Sequence, residues 1–217
     1  MLRYTERMRI ATVTAILATA LPAFAVMPPV PRPAKELVVA EPSGKKTLLT
    51  SLKGKVVIAQ FLYTTCPHCQ HFSQVLTKIN VDLGPKGLQP IGLAFDNPSG
   101  APDGTPPTPG MVTNYIQQFH VGFPVGVSSR DTVMSYLGIS LMDRFVVPQI
   151  VVVDKKGVVR AQSEFMGEKA NVNGSSVPYE QLQDEAFLRK FLGDLLKEGA
   201  APATSAAAKK APAPAAN

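Results

Sequence analysis

The run Lys55-Val-Val-Ile-Ala-Gln-Phe-Leu-Tyr63 is almost wholly apolar and β-type, and within three residues it reaches Cys66-Pro67-His68-Cys69. Beyond the cysteines, Phe72, Val75, Leu76 and Ile79 recur at i, i+3, i+4, i+7, which predicts a helix over 70–81 stopping near Gly84-Pro85. A strand that passes to a helix through C-x-x-C places the first sulfur at the helix N-terminus. There the unpaired N–H groups and the macrodipole favour thiolate over thiol. These are the only two cysteines in 217 residues, and their spacing suits thiol–disulfide exchange.

The two ends of the chain read differently from its middle. Arg3, Arg7 and Arg9 precede an apolar run over 10–21, and Ala23-Phe24-Ala25 matches a small-x-small cleavage pattern. Residues 1–25 are therefore expected to be a Sec-type signal peptide cut after Ala25, the apolar run being short for a membrane span. Membrane contact is expected only if that leader stays uncleaved. Residues 26–35 carry Pro28, Pro29, Pro31 and Pro33 and read as an extended linker. Residues 36–198 form the expected domain. Residues 199–217 are nearly all Ala, Pro, Ser, Thr and Lys, a composition that cannot offset its ordering entropy and so predicts a disordered tail.

The formal charge of +6 includes +2 from the leader and +2 from Lys209 and Lys210 in the tail. About +2 is left for the domain, and no basic stripe with interleaved aromatics is present, so nucleic acid is not an expected partner. An exported chain with a close cysteine pair is expected to work in the periplasm or a similar compartment, where disulfides persist.

Short strands are expected at 37–40 and 47–49 around Pro42-Ser43-Gly44, then the central strand 56–62 and the helix after the cysteines. A strand at 88–95, a Pro/Gly-rich loop to Gly110, a helix at 111–120, a strand at 123–127 and a helix at 130–137 follow. Residues 149–154 and 158–161 form a hairpin about Lys155-Lys156-Gly157, and 179–197 is an amphipathic helix closing the fold. The order β-β-β-α-β-α-β-α-β-β-α implies an α/β domain, with a central mixed sheet and helices on both faces.

A C-x-x-C after a strand, Pro148 opening a later strand, and a terminal hairpin plus helix together resemble the thioredoxin fold. The extra N-terminal β-hairpin and the helical insertion over 111–137 are similar to the exported TlpA/ResA and AhpC/TSA-like "redoxin" branch. So are Lys53-Gly54-Lys55-Val56-Val57, Phe123-Pro124-Val125 and the stretch from Pro148 to Asp154 with Gly157. The resemblance spans roughly 37–196. It implies that Pro148 is cis and that Val147 before it presents its backbone to an extended substrate segment. The Pro67-His68 pair resembles the periplasmic oxidant DsbA instead, although the long helical insert of that protein is missing.

The resemblance implies Cys66 as attacking sulfur and Cys69 as resolving thiol, with Pro67 and His68 tuning the thiolate. His68 offers an N–H donor and, when protonated, a cation. The cysteine pair is itself the redox group, so no bound cofactor and no metal are expected. The implied partners are proteins carrying thiols or disulfides and a membrane or periplasmic redox partner. Pro-His favours an oxidant and the ResA-like body a reductase. Gln60 stands where thioredoxin has a buried acid and cannot titrate; Glu164 and Asp96 are candidates for its role. His71 is expected to be solvated and His120 half-buried at a helix end.

Two alternatives bear on the same cysteines. A peroxidase of the AhpC/TSA type carries P-x-x-x-T-x-x-C, and this chain has Ala59 and Tyr63 at the Pro and Thr positions. A Sco-like copper-delivery module carries C-x-x-x-C with a distant histidine; here the spacing is one residue shorter and no histidine follows His120.

Overall fold

A computed structural model describes residues 28–95, 106–140 and 143–199. The strands are β1 (Arg32–Pro33), β2 (Val38–Ala40), β3 (Lys46–Leu48), β4 (Val56–Leu62), β5 (Leu88–Ala94), β6 (Val125–Val127), β7 (Gln149–Val153), β8 (Val158–Ser163), β9 (Lys169–Val172) and β10 (Ser175–Pro178). The α-helices are α1 (Pro67–Leu83), α2 (Pro109–Gln118), α3 (Arg130–Leu137) and α4 (Glu185–Lys197). All ten strands join one sheet in the order β10-β9-β8-β7-β4-β5-β6-β2-β3, with β1 pairing β8. β4, β5 and β6 run parallel, and the remaining pairings are antiparallel. This is the mixed sheet of the thioredoxin fold.

β4 lies inside the sheet, and every one of its residues is buried. A strand covered on both faces reads as a continuous apolar run, which is why 56–62 shows no polar alternation. Its side chains still alternate. Val56, Ile58 and Leu62 face α1, α2 and α4 in one core, with Phe72, Leu76, Ile79, Leu188 and Leu192. Val57, Ala59 and Phe61 face a second core, with Val133, Met134 and Leu137 of α3 and Val30, Leu37 and Val39 from the N-terminal segment. The predicted helices thus lie on both faces. Replacing the fully buried Leu76 by Ala is expected to cost about 2–5 kcal/mol, read as a lowered urea midpoint at unchanged slope.

Four regions differ from expectation in ways that have local causes. Residues 28–35 are docked rather than being a free linker: Val30 is 4% exposed, Arg32 and Pro33 pair with Val159 and Val158, and the Ala34 N–H donates to Gly157 O at 2.9 Å. Proline is tolerated there because an edge strand leaves one row of N–H groups unused. The helix after the cysteines starts at Pro67, earlier than Gln70, since proline suits a first turn whose N–H has no helical partner. The closing helix is split into a 3₁₀ turn, Tyr179–Leu182, and α4, because the Asp184 carboxylate caps α4 by accepting from the Phe187 N–H at 2.7 Å. Finally, β9 and β10 form a hairpin that the apolar pattern did not show. Its turn, Asn173-Gly174, has φ of 51° and 86°, the left-handed pair favoured in two-residue hairpins. The leader, Asp96 and residues 200–217 lie outside the described residues. Among those described, no helix is long and apolar enough to cross a membrane.

Candidate active site

The site forms where β4 ends and α1 begins, at the carboxyl end of a parallel strand, where open α/β sheets place their ligands. Cys66 is the N-cap of α1, with extended backbone (φ −76°, ψ 117°). Its sulfur accepts the Cys69 N–H at 3.4 Å and lies 3.7 Å from the carbonyl oxygen of Val147, to which the thiol can donate. Both cysteines are free; Cys66 is half-buried and Cys69 fully buried. Pro67 and His68, the residues between them, are exposed.

Environment separates the two thiols. The Cys66 thiol is brought down to about 6, chiefly because the Cys69 side chain donates a hydrogen bond to its anion. Partial burial opposes this, while the N–H groups of Cys69 and His68 and the charge of His68 assist. Burial pushes Cys69 far up, and its interaction with the neighbouring Cys66 anion adds to the rise. One sulfur is thus an anion at neutral pH and the other keeps its proton, the division of labour that a nucleophile and a resolving thiol require.

The Val147–Pro148 peptide is cis. Its strand-leading segment is held by Tyr179, whose hydroxyl donates to Pro148 O, and by the Val146 N–H, which donates to Phe165 O at 2.8 Å. A groove of about 440 Å³ runs beside it, lined by His68, Val146, Val147, Pro148, Tyr179 and Glu180 among others. On the other flank, the rings of Tyr63, Phe95 and Phe145 cluster with centroids 4.9–6.3 Å apart, and the Arg130 guanidinium lies 5.0 Å over Phe145. The groove carries both apolar and polar side chains, and of the three rings Phe95 is buried while Tyr63 and Phe145 are partly exposed.

Beneath the cysteines lies a polar cluster in the apolar core. Gln60 Nε2 donates to Cys69 O at 2.8 Å, and Gln60 Oε1 accepts from Ser73 Oγ at 2.7 Å. The Tyr115 hydroxyl is 2.6 Å from Ser73 Oγ and donates to Cys69 O at 3.2 Å. Gln60 thus fills the position of the thioredoxin acid as a neutral hydrogen-bonding group. Of the candidates for that acid's role, Glu164 sits at the turn after β8, where its backbone bonds Lys169 and Gln149 and no hydrogen bond joins it to Cys69. Asp96 falls outside the described residues. His71 is exposed as expected, whereas His120 is exposed rather than half-buried, since it lies in the turn beyond the end of α2 with left-handed backbone (φ 50°). The described residues hold no group of three or more His, Cys, Asp or Glu placed to share a metal ion.

The structure thus brings together Cys66, Pro67, His68, Cys69, Val147 and Pro148. It adds Gln60, Ser73, Tyr115 and Tyr179, of which only Gln60 stood out in the sequence. A serine at a core-facing helix position is the available signal for Ser73, and the ring of Tyr115 fits the apolar period of α2 and so hides its hydroxyl.

The Redoxin family model matches residues 18–174. Among curated proteins, the chain is similar to the thiol-disulfide oxidoreductase ResA of Bacillus thuringiensis, 27% identical over 158 residues that cover 73% of this chain and 76% of that protein. Among solved structures it is similar to a thioredoxin-family thiol:disulfide interchange protein from Chlorobium tepidum. That match has TM-score 0.55 and 20% identity, over 76% of this chain and 97% of the other. It is also similar to a putative protein disulfide isomerase from Bacteroides thetaiotaomicron, with TM-score 0.57 and 19% identity, over 80% of this chain and 95% of the other.

Proposed function

The chain belongs to the Redoxin family and is a thiol–disulfide oxidoreductase, and from that premise we propose that it is exported and exchanges electrons with protein cysteines through Cys66 and Cys69. The observation that carries this reading is the placement of Cys66: a half-buried N-cap sulfur held as thiolate, 3.7 Å from the carbonyl of Val147, which itself lines the groove. In the reducing direction, the Cys66 thiolate attacks a substrate disulfide, forms a mixed disulfide and releases one substrate sulfur as thiolate. Cys69 then loses its proton to solvent and its sulfur attacks Cys66 Sγ. The Cys66–Cys69 bond forms, the bond to substrate breaks, and the second substrate sulfur leaves as thiolate. The oxidising direction is the reverse.

Val147 presents its backbone edge to an extended substrate segment, and Pro148 and Tyr179 fix that edge. Pro67 and His68 set the thiolate, the first by opening the helix and the second by its charge. Export rests on the basic leader, its apolar run and Ala23-Phe24-Ala25. It is checked by recovering a tagged full-length chain, shortened to begin after residue 25, in the periplasmic fraction.

We assign the working direction as reduction, with a membrane or periplasmic partner resupplying electrons. A thiolate near 6 stands closer to thioredoxin, at about 7, than to DsbA, at about 3.5, and a less stabilised thiolate makes a less oxidising disulfide. The charge of His68 favours the opposite direction, so the reduction potential decides. Equilibrated against a glutathione buffer, the Cys66–Cys69 pair is expected to be more negative than about −180 mV, the value of protein disulfide isomerase. A potential between about −120 and −160 mV would make the protein a disulfide donor.

A further inference from the structure

The two backbone groups of Cys69 are held from opposite sides. Its N–H points at the Cys66 sulfur, 3.4 Å away, and its carbonyl accepts from Gln60 Nε2 at 2.8 Å and from the Tyr115 hydroxyl at 3.2 Å. Donor accounting orients the cluster. The Ser73 hydroxyl proton is committed to Gln60 Oε1, so the single phenolic proton of Tyr115 is shared between Ser73 Oγ and Cys69 O. Gln60, Ser73 and Tyr115 are all buried, at 0%, 0% and 2% exposure, and they come from β4, α1 and α2. The core around them is otherwise apolar, and in such a setting a fully satisfied polar cluster is rigid and specific in geometry.

We propose that Tyr115, through its bonds to Ser73 and Cys69 O and with Gln60, is a positioning residue for the resolving thiol: it holds the first turn of α1 so that Cys69 Sγ is aimed at Cys66 Sγ. The inference rests on the exchange mechanism proposed above and concerns its second step. That step is an in-line attack within one helical turn, and misaligning reacting groups is costly in rate. The first step, attack by Cys66 on an outside disulfide, uses Cys69 only as a hydrogen-bond donor to the thiolate, so a small loss of aim costs it less than it costs the attack by Cys69 itself. Tyr115 belongs to the helical insertion, so the insertion supplies part of the dithiol's support and does more than cover the sheet.

The test uses the full-length reduced protein and oxidised glutathione. Acid-quenched samples are resolved by mass into the Cys66–glutathione adduct and the Cys66–Cys69 disulfide. In Tyr115→Phe, adduct formation should stay within about two-fold, whereas its resolution should slow by about three- to ten-fold, the scale of one net buried hydrogen bond. Ser73→Ala should act in the same direction, and the double variant should add little, because the hydroxyls work as one unit. Phe119→Leu alters the ring packed 5.3 Å from Tyr115 without touching these bonds. It should lower thermal stability and leave the adduct's lifetime alone. Unchanged resolution in Tyr115→Phe, equal slowing of both steps, or equal slowing by Phe119→Leu would overturn the inference while leaving exchange at Cys66 in place. Failure of the unaltered protein to form any adduct or disulfide would instead sink the exchange mechanism, and this inference with it.

Discussion

A Cys66→Ala protein is expected to lose insulin-reduction activity by about a thousand-fold or more, while keeping its cooperative unfolding transition. In the proposed mechanism the Cys66 sulfur is the atom to which the substrate becomes bonded, and the other thiol, Cys69, is buried and keeps its proton. Folding should survive, because Cys66 is half-exposed and its removal opens no deep cavity. Cys69→Ala behaves differently. The attacking sulfur remains, so substrates are still captured, but the mixed disulfide has no internal way out. Covalent adducts should then accumulate at near-stoichiometric yield and dissolve on adding dithiothreitol. If Cys66→Ala retained turnover, or if adducts formed through Cys69 with Cys66 absent, the assignment of roles would be wrong.

Titration of the reduced protein should show Cys66 reacting with iodoacetamide about a midpoint near pH 6, well below an ordinary cysteine at about 8.5. The midpoint is the readout to use. The rate at neutral pH misleads, because a more acidic thiolate is also a weaker nucleophile and much of the gain in anion is lost. His68→Ala should move the midpoint upward, since the charge of His68 is among the causes that lower it.

The same shift makes the reduced protein's stability depend on pH, and its sign follows from proton counts. Between about pH 6 and 9 the folded chain has released the Cys66 proton that the unfolded chain still holds. Stability of the reduced form therefore rises with pH across that window and is lost as pH falls through 6. Cys69 acts oppositely above about pH 9: its pKa is raised, so the unfolded chain ionises where the folded one does not, and stability falls again. The oxidised protein has neither thiol and lacks this curve. A difference in urea midpoint between reduced and oxidised protein that stayed flat from pH 5 to 8 would remove the electrostatic account of the thiolate.

The core of the fold was legible because its signals are local. A doubly covered strand, a cysteine pair and a helix of period 3.6 follow one another over 56–83, and each is decided by residues a few positions apart. The proline at 148 could be placed by resemblance for the same reason. The β9–β10 hairpin was harder to see: Ser175, Ser176 and Pro178 are exposed, so no buried face imposes alternation, and only Asn173-Gly174 carried the turn. The cluster under Cys69 was hidden for another reason. Tyr115 satisfies the apolar period of α2 with its ring, and its hydroxyl meets Ser73 across 42 residues of chain only after both helices pack on β4. Residues 28–35 read as a linker because proline composition masked Val30, one apolar residue whose burial ties the segment down.

That burial sets how far the domain can travel from whatever precedes it. With Val30 anchored in the core, only four residues lie between position 25 and that fixed point on the body, a span of at most about 18 Å even fully extended. Free of its leader, the domain would diffuse to its substrates. Held by a leader that was never cut, it would hang within a few nanometres of the bilayer, with its rotation restricted as well as its height. Only partners that come to the membrane surface, and that approach from the side the tether leaves open, would then meet Cys66.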